Sequence, residues 1–382
     1  MALANKAAPY DVDLMRDMKI AQTRHGASFM KQVSDFLALR SAGTGMSFEE
    51  YLFFGLYNRP HTDYSAFMGD HRARAAFYVA NDLRGWDAAD DKISFAEAAA
   101  KANLPAPALR AVVHKMQTIE GAQQLASQEE IHAFLKTCPL PVFGKPNRAS
   151  HGDGAVTILQ REEGMLVAGD SQISIKDLVS EVAAYLDAGG YVFQEMLKPH
   201  DVISKITKGR VASLRVLTLL GENGAVVKSI VARFPAGDNQ VDNFRRCGNL
   251  VAPVDVETGV LGAAQRGVGV TSESVLIHPD TNAQIEGVHM PDIEQAKKLA
   301  CEAAVLYPNL HLQSWDIALT PDGPKLLEVN PGGNFNIIQL ANGRGVFDPE
   351  FRSFLEWCLN VNTSSKSNAK ALKEAKKLLN LK

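Results

Sequence analysis

Two apolar stretches toward the end of the chain constrain its fold more than any other feature. They are Ser314-Trp315-Asp316-Ile317-Ala318-Leu319-Thr320 and Leu326-Leu327-Glu328-Val329-Asn330-Pro331-Gly332. Each reads as a strand, and Thr320-Pro321-Asp322-Gly323 between them is a turn signal, so the pair is expected to form a β-hairpin. Folding about that turn sets Asp316 opposite roughly residues 327–329. Side chains alternate along a strand, so Glu328 and Asn330 share a face. Three hard oxygen donors then converge on one spot, a set suited to Mg²⁺, which takes carboxylates, amide oxygens, water and substrate phosphates. The plainer reading is a surface hairpin with solvated acids. Both strands are otherwise strongly apolar, which argues for a buried sheet, where a carboxylate needs a charge partner or a metal.

Length and charge narrow the class. At 382 residues, 46% hydrophobic and 22% charged, the chain has a soluble globular composition, with room for two or three domains or one multi-lobed unit. A net charge of −3 supplies no basic field, so no nucleic-acid partner is expected. No apolar run reaches about 18 residues, so no membrane span is expected. The opening residues lack the apolar core of a secretory signal. Cys138, Cys247, Cys301 and Cys358 are scattered without C-x-x-C spacing. The expectation is a reduced, cytoplasmic protein without a disulfide framework or zinc site.

Along the chain, residues 11–40 show apolar positions at helical spacing (Ile20, Val33, Phe36, Leu37), and Ser47-Phe48-Glu49-Glu50 reads as a capped helix start. With a further helical pattern from His71 to Leu83, residues 1–90 read as a helical layer. From Asp91 strands and helices mix. Helices are expected over 94–103, 127–136, 175–186, 291–306 and 349–359. Strands are expected over 109–113, 140–145, 191–197, 212–220 and 226–234, with a hairpin around Ile158 and Val167. The class is α+β, divided as 1–90, 91–190, 191–360 and a tail, 361–382. That tail is a polar linker and a helix with six Lys and one Glu over 364–382. Leu372, Ala375 and Leu379 give the helix one apolar stripe, which suits docking on the body or fraying in solvent. A membrane-surface or partner contact is the alternative.

Four further stretches bear on chemistry. Phe143-Gly144-Lys145-Pro146 leads into Asn147-Arg148-Ala149-Ser150-His151-Gly152-Asp153-Gly154, a lysine at the end of a strand followed by a small-residue loop. Backbone N–H groups of such a loop and the lysine charge suit phosphates, and Gly152 and Gly154 permit close approach. An ordinary glycine turn explains the loop equally well. Tyr191-Val192-Phe193-Gln194-Glu195-Met196-Leu197 is an apolar strand whose polar end can offer backbone to an adenine edge and a carboxylate to a ribose; an edge strand with solvated polar residues is the simpler account. Arg215, inside the apolar Ser213–Thr218 run, needs a carboxylate or phosphate partner. A structural ion pair with Glu328 or Asp316 satisfies it as well as a substrate does. Asp242-Asn243-Phe244-Arg245-Arg246-Cys247-Gly248-Asn249 offers two arginines and two asparagines to an anionic acceptor, or is a solvated basic loop. The pair Gly267 and Gly269 has no βαβ context, so no dinucleotide fold is inferred.

Taken in order, these pieces resemble the ATP-grasp superfamily, and within it the sugar-transfer-associated branch. The likeness rests on Lys145-Pro146 with its glycine loop; on Phe193-Gln194-Glu195 followed by His200 and the Ser213–Thr218 run; on Asn243 with Gly248; and on Asp316 with Leu327-Glu328-Val329-Asn330-Pro331. Asp91-Lys92 and Leu104-Pro105-Ala106-Pro107 are similar to that branch's first lobe. The resemblance covers about residues 90–345. It implies two α+β lobes sandwiching ATP, with a helical leader. Lys92 and Lys145 would contact the nucleotide, and Gln194, Glu195, Met196 and Leu197 would form the adenine hinge. The loop holding Ser150, His151, Gly152 and Gly154 would close over the phosphates. Arg215, Asn243 and Arg245 would serve catalysis, and Asp316, Glu328 and Asn330 would hold Mg²⁺. One departure is Cys247-Gly248, where paired glycines are expected after Asn243; this bears on the acceptor loop.

The activity so implied is an ATP- and Mg²⁺-dependent carboxylate–amine ligase working through an acyl phosphate, on small-molecule or peptide carboxylates and amines. Two alternatives stay open: a phosphotransferase acting on a hydroxyl, and a nucleotide-responsive binding protein without turnover. Neither the substrates nor the oligomeric state follows from the residues.

Overall fold

A computed structural model describes residues 13–148, 153–168, 171–362 and 368–381. The described strands fall into two seven-stranded sheets. The first is built from β1 (Leu109–Val113), β2 (Gln123–Leu125), β3 (Val142–Pro146), β4 (Val156–Glu162), β5 (Met165–Ala168), β6 (Ser171–Ser174) and β7 (Tyr191–Glu195), in the order β2-β1-β7-β3-β4-β5-β6. The second contains β8 (Ser213–Gly221), β9 (Gly224–Phe234), β10 (Leu250–Val254), β11 (Ala264–Arg266), β12 (Glu273–Val275), β13 (Leu312–Thr320) and β14 (Gly323–Asn330), in the order β12-β11-β10-β9-β8-β13-β14. Among the described strands, only β1 and β2 pair in parallel.

The expected division at 190/191 is displaced. β7 lies in the middle of the first sheet, between β1 and β3, so that sheet runs to Glu195. Strand order within a sheet is a long-range property that local apolar patterning does not record. The helix Lys92–Lys101 also departs from the division: Phe95 and Ala99 enter the second sheet's core, while Ile93 packs on Val112 and Val192 of the first.

Helices Gln128–Thr137 and Ile175–Ala183 cover one face of the first sheet, around Phe134, Leu178, Tyr191 and Phe193. The second sheet is covered on both faces. Helices Asp201–Thr207 and Ile293–Ala304 pack on one. Helices Asp70–Ala80, Phe335–Asn342, Pro349–Val361 and Ala369–Leu379 pack on the other. Double coverage buries every residue of β13, and all of β8 but its last, so their polar side chains, Arg215 and Asp316 above all, need partners within the protein. The Lys-rich helix docks through Ala375 and Leu379.

The leader is helical but broken. The helix expected over 11–40 is two, Leu14–His25 and Phe29–Ser41. Gly26 ends the first in a left-handed conformation (φ 68°), and the Ser28 side chain accepts a hydrogen bond from Lys31 N to start the second. Two buried amides lock the leader to the second sheet and to the helix Phe335–Asn342 that covers it. Asn81 donates to the carbonyls of Leu312 (2.8 Å) and Pro331 (2.7 Å) and accepts from Leu312 N (2.8 Å). Gln339 exchanges hydrogen bonds with the backbone of Met68. Asn81 thereby fixes both the start of β13 and the turn after β14.

Candidate active site

A cleft of about 650 Å³ opens between the two sheets. From the first sheet it receives Lys145 on β3 and Gln194–Leu197 at the end of β7. From the second it receives Arg215 (β8), Arg233 (β9), Asp316 (β13), and Glu328 and Asn330 (β14). Among the described residues of its lining, seven lysines and arginines face five acids, so the cleft favours an anion.

On the first-sheet side, Asn147 organises the wall. It is fully buried. Its amide donates to Asp91 Oδ2 (3.0 Å) and Gly189 O (2.9 Å), and its oxygen accepts from Ile93 N (3.0 Å). This ties the start of the helix at Lys92 to the end of β3, and Lys92 Nζ donates to Asn147 O (3.1 Å). Lys145 Nζ reaches toward Leu327 O at 3.5 Å, spanning to the other sheet. Burial pushes its ammonium down to about 8, and Lys92 adds to this, while Glu328 and Asp316 partly oppose it. Gln194 is buried on β7, and Met196 and Leu197 form the connection that leaves the first sheet. Glu195 is engaged rather than open: its Oε1 accepts from Lys325 Nζ (2.7 Å) and Ala108 N (3.1 Å). Burial raises its pKa, but these bonds bring it below the ordinary value.

Gly154 stands at φ 75°, and a Cβ there would lie 2.6 Å from the Tyr185 hydroxyl and 2.7 Å from Pro146 Cγ. Its carbonyl accepts from Tyr191 Oη (3.0 Å). The flanking Asp153 and Ala155 line the cleft. Ser150, His151 and Gly152 lie outside the described residues.

On the second-sheet side, Asp316 pairs across the ladder with Arg215 on one side and Glu328 on the other, with a bulge after Asp316. Arg215 Nε and Nη2 each donate to Asp316 at 2.8 Å, a bidentate pair. Arg233 Nη2 adds a third bond to Oδ2 at 2.7 Å. Arg233 is held in turn by the Ser213 hydroxyl and lies 3.7 Å from Asp242, which itself accepts from Ser213. Burial alone would raise the Asp316 carboxyl; the two guanidiniums outweigh it and hold the group well below the usual carboxylate range. The same acids hold the buried Arg233 above its ordinary value against desolvation.

A carboxylate has about four lone-pair sites. Three on Asp316 are taken by arginine, which leaves one on Oδ1. Glu328 makes no ion pair among the described residues and lies against Asp316. Asn330 Nδ2 is buried without a hydrogen-bond partner among them. Two adjacent carboxyls fit a hard divalent cation, held mainly by Glu328 with the Asn330 amide oxygen beside it and Asp316 already committed to arginine, while the unpartnered Asn330 Nδ2 is a donor suited to a phosphate oxygen. Among the described residues no cluster of three or more His, Cys, Asp or Glu forms a metal site.

Asn243 and Arg245 line the cleft from the loop between β9 and β10. Asn249, fully buried, pins that loop by donating to Val241 O and Asn243 O and accepting from Ala236 N. Arg246 comes within 4.0 Å of Asp153 from the opposite lobe. Cys247 is exposed and does not line the cleft.

Sequence reasoning missed Arg233, although it sits in an apolar strand, the pattern that singled out Arg215. It also missed Phe53 of the leader, and Asn334, Asn336 and Ile337 beyond β14. No local signal marks these, because their place depends on how helices dock.

No curated protein matches the chain. Solved structures do. An L-amino acid ligase from Bacillus licheniformis is 12% identical, with 67% of this chain and 44% of that one covered and a TM-score of 0.38. A D-alanine–D-alanine ligase from Bacillus anthracis is 11% identical over 76% and 72%, with a TM-score of 0.41. A biotin carboxylase from Campylobacter jejuni is 10% identical over 74% and 48%, with a TM-score of 0.42. The chain thus spans under half the length of the first and third. The model of the sugar-transfer associated ATP-grasp family matches residues 74–352, most of the chain and both of its sheets. The protein belongs to the sugar-transfer associated ATP-grasp family.

Proposed function

We propose that the protein is an ATP- and Mg²⁺-dependent ligase that joins a carboxylate to an amine through an acyl phosphate. The observation that carries this reading is the placement of Glu328 and Asn330 beside an arginine-held Asp316, with Lys145 facing them from the other sheet. Phosphoryl transfer asks for alignment and charge neutralisation more than for an acid–base pair, and the cleft is composed for that.

Lys145 and Lys92 place positive charge along the nucleotide phosphates. The backbone of Gln194–Leu197 meets the adenine edge, and the loop around Gly154 approaches the phosphates. Glu328 and Asn330 would hold Mg²⁺, which when bound neutralises phosphate charge. Arg215 and Arg233, pre-oriented by Asp316, face the transferring group without reorganising. The substrate carboxylate oxygen bonds to the γ-phosphorus as the bond to the β-phosphate oxygen breaks, and ADP leaves. The amine nitrogen then bonds to the acyl carbon, phosphate departs, and the amine proton passes to solvent. Asn243 and Arg245 face the acceptor side of the cleft.

Calorimetric titration of ATP into the full chain, with and without Mg²⁺, tests the nucleotide part. Saturable binding that Mg²⁺ strengthens in the native protein, and no longer strengthens in Glu328→Gln, is expected. No ATP binding under either condition overturns the reading.

A further inference from the structure

The leader helix Phe29–Ser41 turns apolar side chains to solvent and polar ones inward. At about 100° per residue, Phe29, Val33, Leu37 and Met30 fall on one arc roughly 100° wide. Phe29, Met30 and Leu37 are 57%, 74% and 61% exposed, and Val33 is half-buried. The opposite side meets the leader's core and buries Gln32, Asp35 and Leu39. An ordinary surface helix has the reverse pattern.

The inward polar groups hold the helix in this orientation. Gln32 Nε2 donates to Met18 O (3.0 Å) and Ala27 O (2.7 Å). Asp35 accepts from Lys31 Nζ (2.6 Å) and Tyr51 Oη (2.9 Å) and lies 2.7 Å from His61 Nε2. Turning the helix to bury its apolar arc would break these bonds. Single exposed apolar side chains are ordinary, but a set of them on one arc marks an interaction face.

Charge says what covers that face. Over residues 14–41 the acids are Asp17 and Asp35, and both are buried. The lysines and arginines, Arg16, Lys19, Arg24, Lys31 and Arg40, are all exposed. Arg16 and Lys31 bond the two acids from outside. Among the described residues no acid pairs with Lys19, Arg24 or Arg40, and Arg40 falls within the apolar arc. The same face of a second copy would set cation against cation with no acid between them. An anionic bilayer supplies both missing halves, acidic headgroups for the cations and acyl chains for the apolar arc. Lysine and arginine stems are long enough to keep their charge at the headgroups while apolar neighbours enter.

We propose that the leader docks the protein on an anionic membrane surface, with Phe29, Met30, Val33 and Leu37 entering at headgroup level and the leader's cations supplying the attraction. The contact is peripheral, since no described helix is long and apolar enough to cross a membrane. It needs neither ATP nor Mg²⁺ and stands apart from the ligase reading.

The test is co-sedimentation of the full chain with vesicles, phosphatidylcholine alone beside a mixture with about 30% phosphatidylserine. Binding to the anionic vesicles is expected, at least about tenfold weaker on phosphatidylcholine and at least about tenfold weaker for Arg40→Glu. The double variant Met30→Ser, Leu37→Ser should also bind at least about tenfold more weakly. Both side chains point outward, so the fold should hold, and circular dichroism checks it. If the double variant does not fold, Arg40→Glu and the two vesicle types on the native protein decide. No binding to the anionic vesicles, equal binding to both, or binding that survives the double substitution in a folded protein overturns the proposal. A dimer in analytical ultracentrifugation that the double variant dissolves gives the face to a second copy and overturns it too.

Discussion

Removing the Asp316 carboxylate tests the arginine pair at its centre. Asp316, Arg215 and Arg233 are 2%, 4% and 7% exposed, so Asp316→Ala strands two guanidiniums in a buried sheet and deletes three hydrogen bonds. Breaking a buried pair from one side costs about 3–5 kcal/mol. Arg233 keeps Ser213 and Asp242, so the loss falls mainly on Arg215, whose ion pair is with Asp316. Glu328→Gln removes an acid that has no arginine of its own and lies against Asp316, so its cost should stay within about 0.5 kcal/mol. The pH dependence follows from the depressed carboxyl. Its stabilisation is complete above the ordinary carboxylate pKa of about 3.9 and is lost as pH falls below that toward the lower folded value. The Asp316→Ala deficit should therefore be the same at pH 7 and pH 5 and shrink only in stronger acid. Urea unfolding followed by tryptophan fluorescence suits this, because Trp315 is fully buried and adjoins Asp316. A loss below about 1 kcal/mol, or an equal loss in Glu328→Gln, refutes the reasoning.

Lys145 must be protonated to attract phosphate. With its pKa near 8 in the free protein, ATP affinity should fall roughly tenfold between pH 7 and pH 9, and Lys145→Ala should weaken binding and flatten that dependence in calorimetry. Gly154→Ala puts an L-residue at φ 75° against Tyr185 and Pro146; a loss of about 1–3 kcal/mol in urea unfolding is expected, with weaker ATP binding. Arg245→Ala should raise the acceptor concentration for half-maximal ADP formation about tenfold or more and leave the ATP requirement unchanged. A selective loss of ATP binding would assign that loop to the nucleotide instead.

The second-sheet hairpin was the most legible part of the chain. Its turn residues set Asp316 opposite roughly residues 327–329, and the structure pairs it with Glu328 through a bulge after Asp316 that the turn residues do not announce. Arg215 was legible as a buried charge in need of a partner, and the partner is Asp316. What the residues do not state is non-local order. β7 returns to the middle of the first sheet because it pairs with both β1 and β3, and nothing in Tyr191–Glu195 encodes its neighbours. The break at Gly26 was written in the glycine and the Ser28 that follows, but apolar spacing on both sides carried the helix through it. Phe53 was read as part of a helical layer, and only the docking of that layer beside helix Phe335–Asn342 brings it to the cleft.

Phosphorus NMR of ATP and Mg²⁺ with the full chain and a mixed pool of carboxylates and amines measures the central claim most directly. The account predicts ADP and free phosphate only when acid and amine are both present, and neither with Glu328→Gln. A new phosphate ester formed without an amine, or turnover that persists in Glu328→Gln, would contradict it.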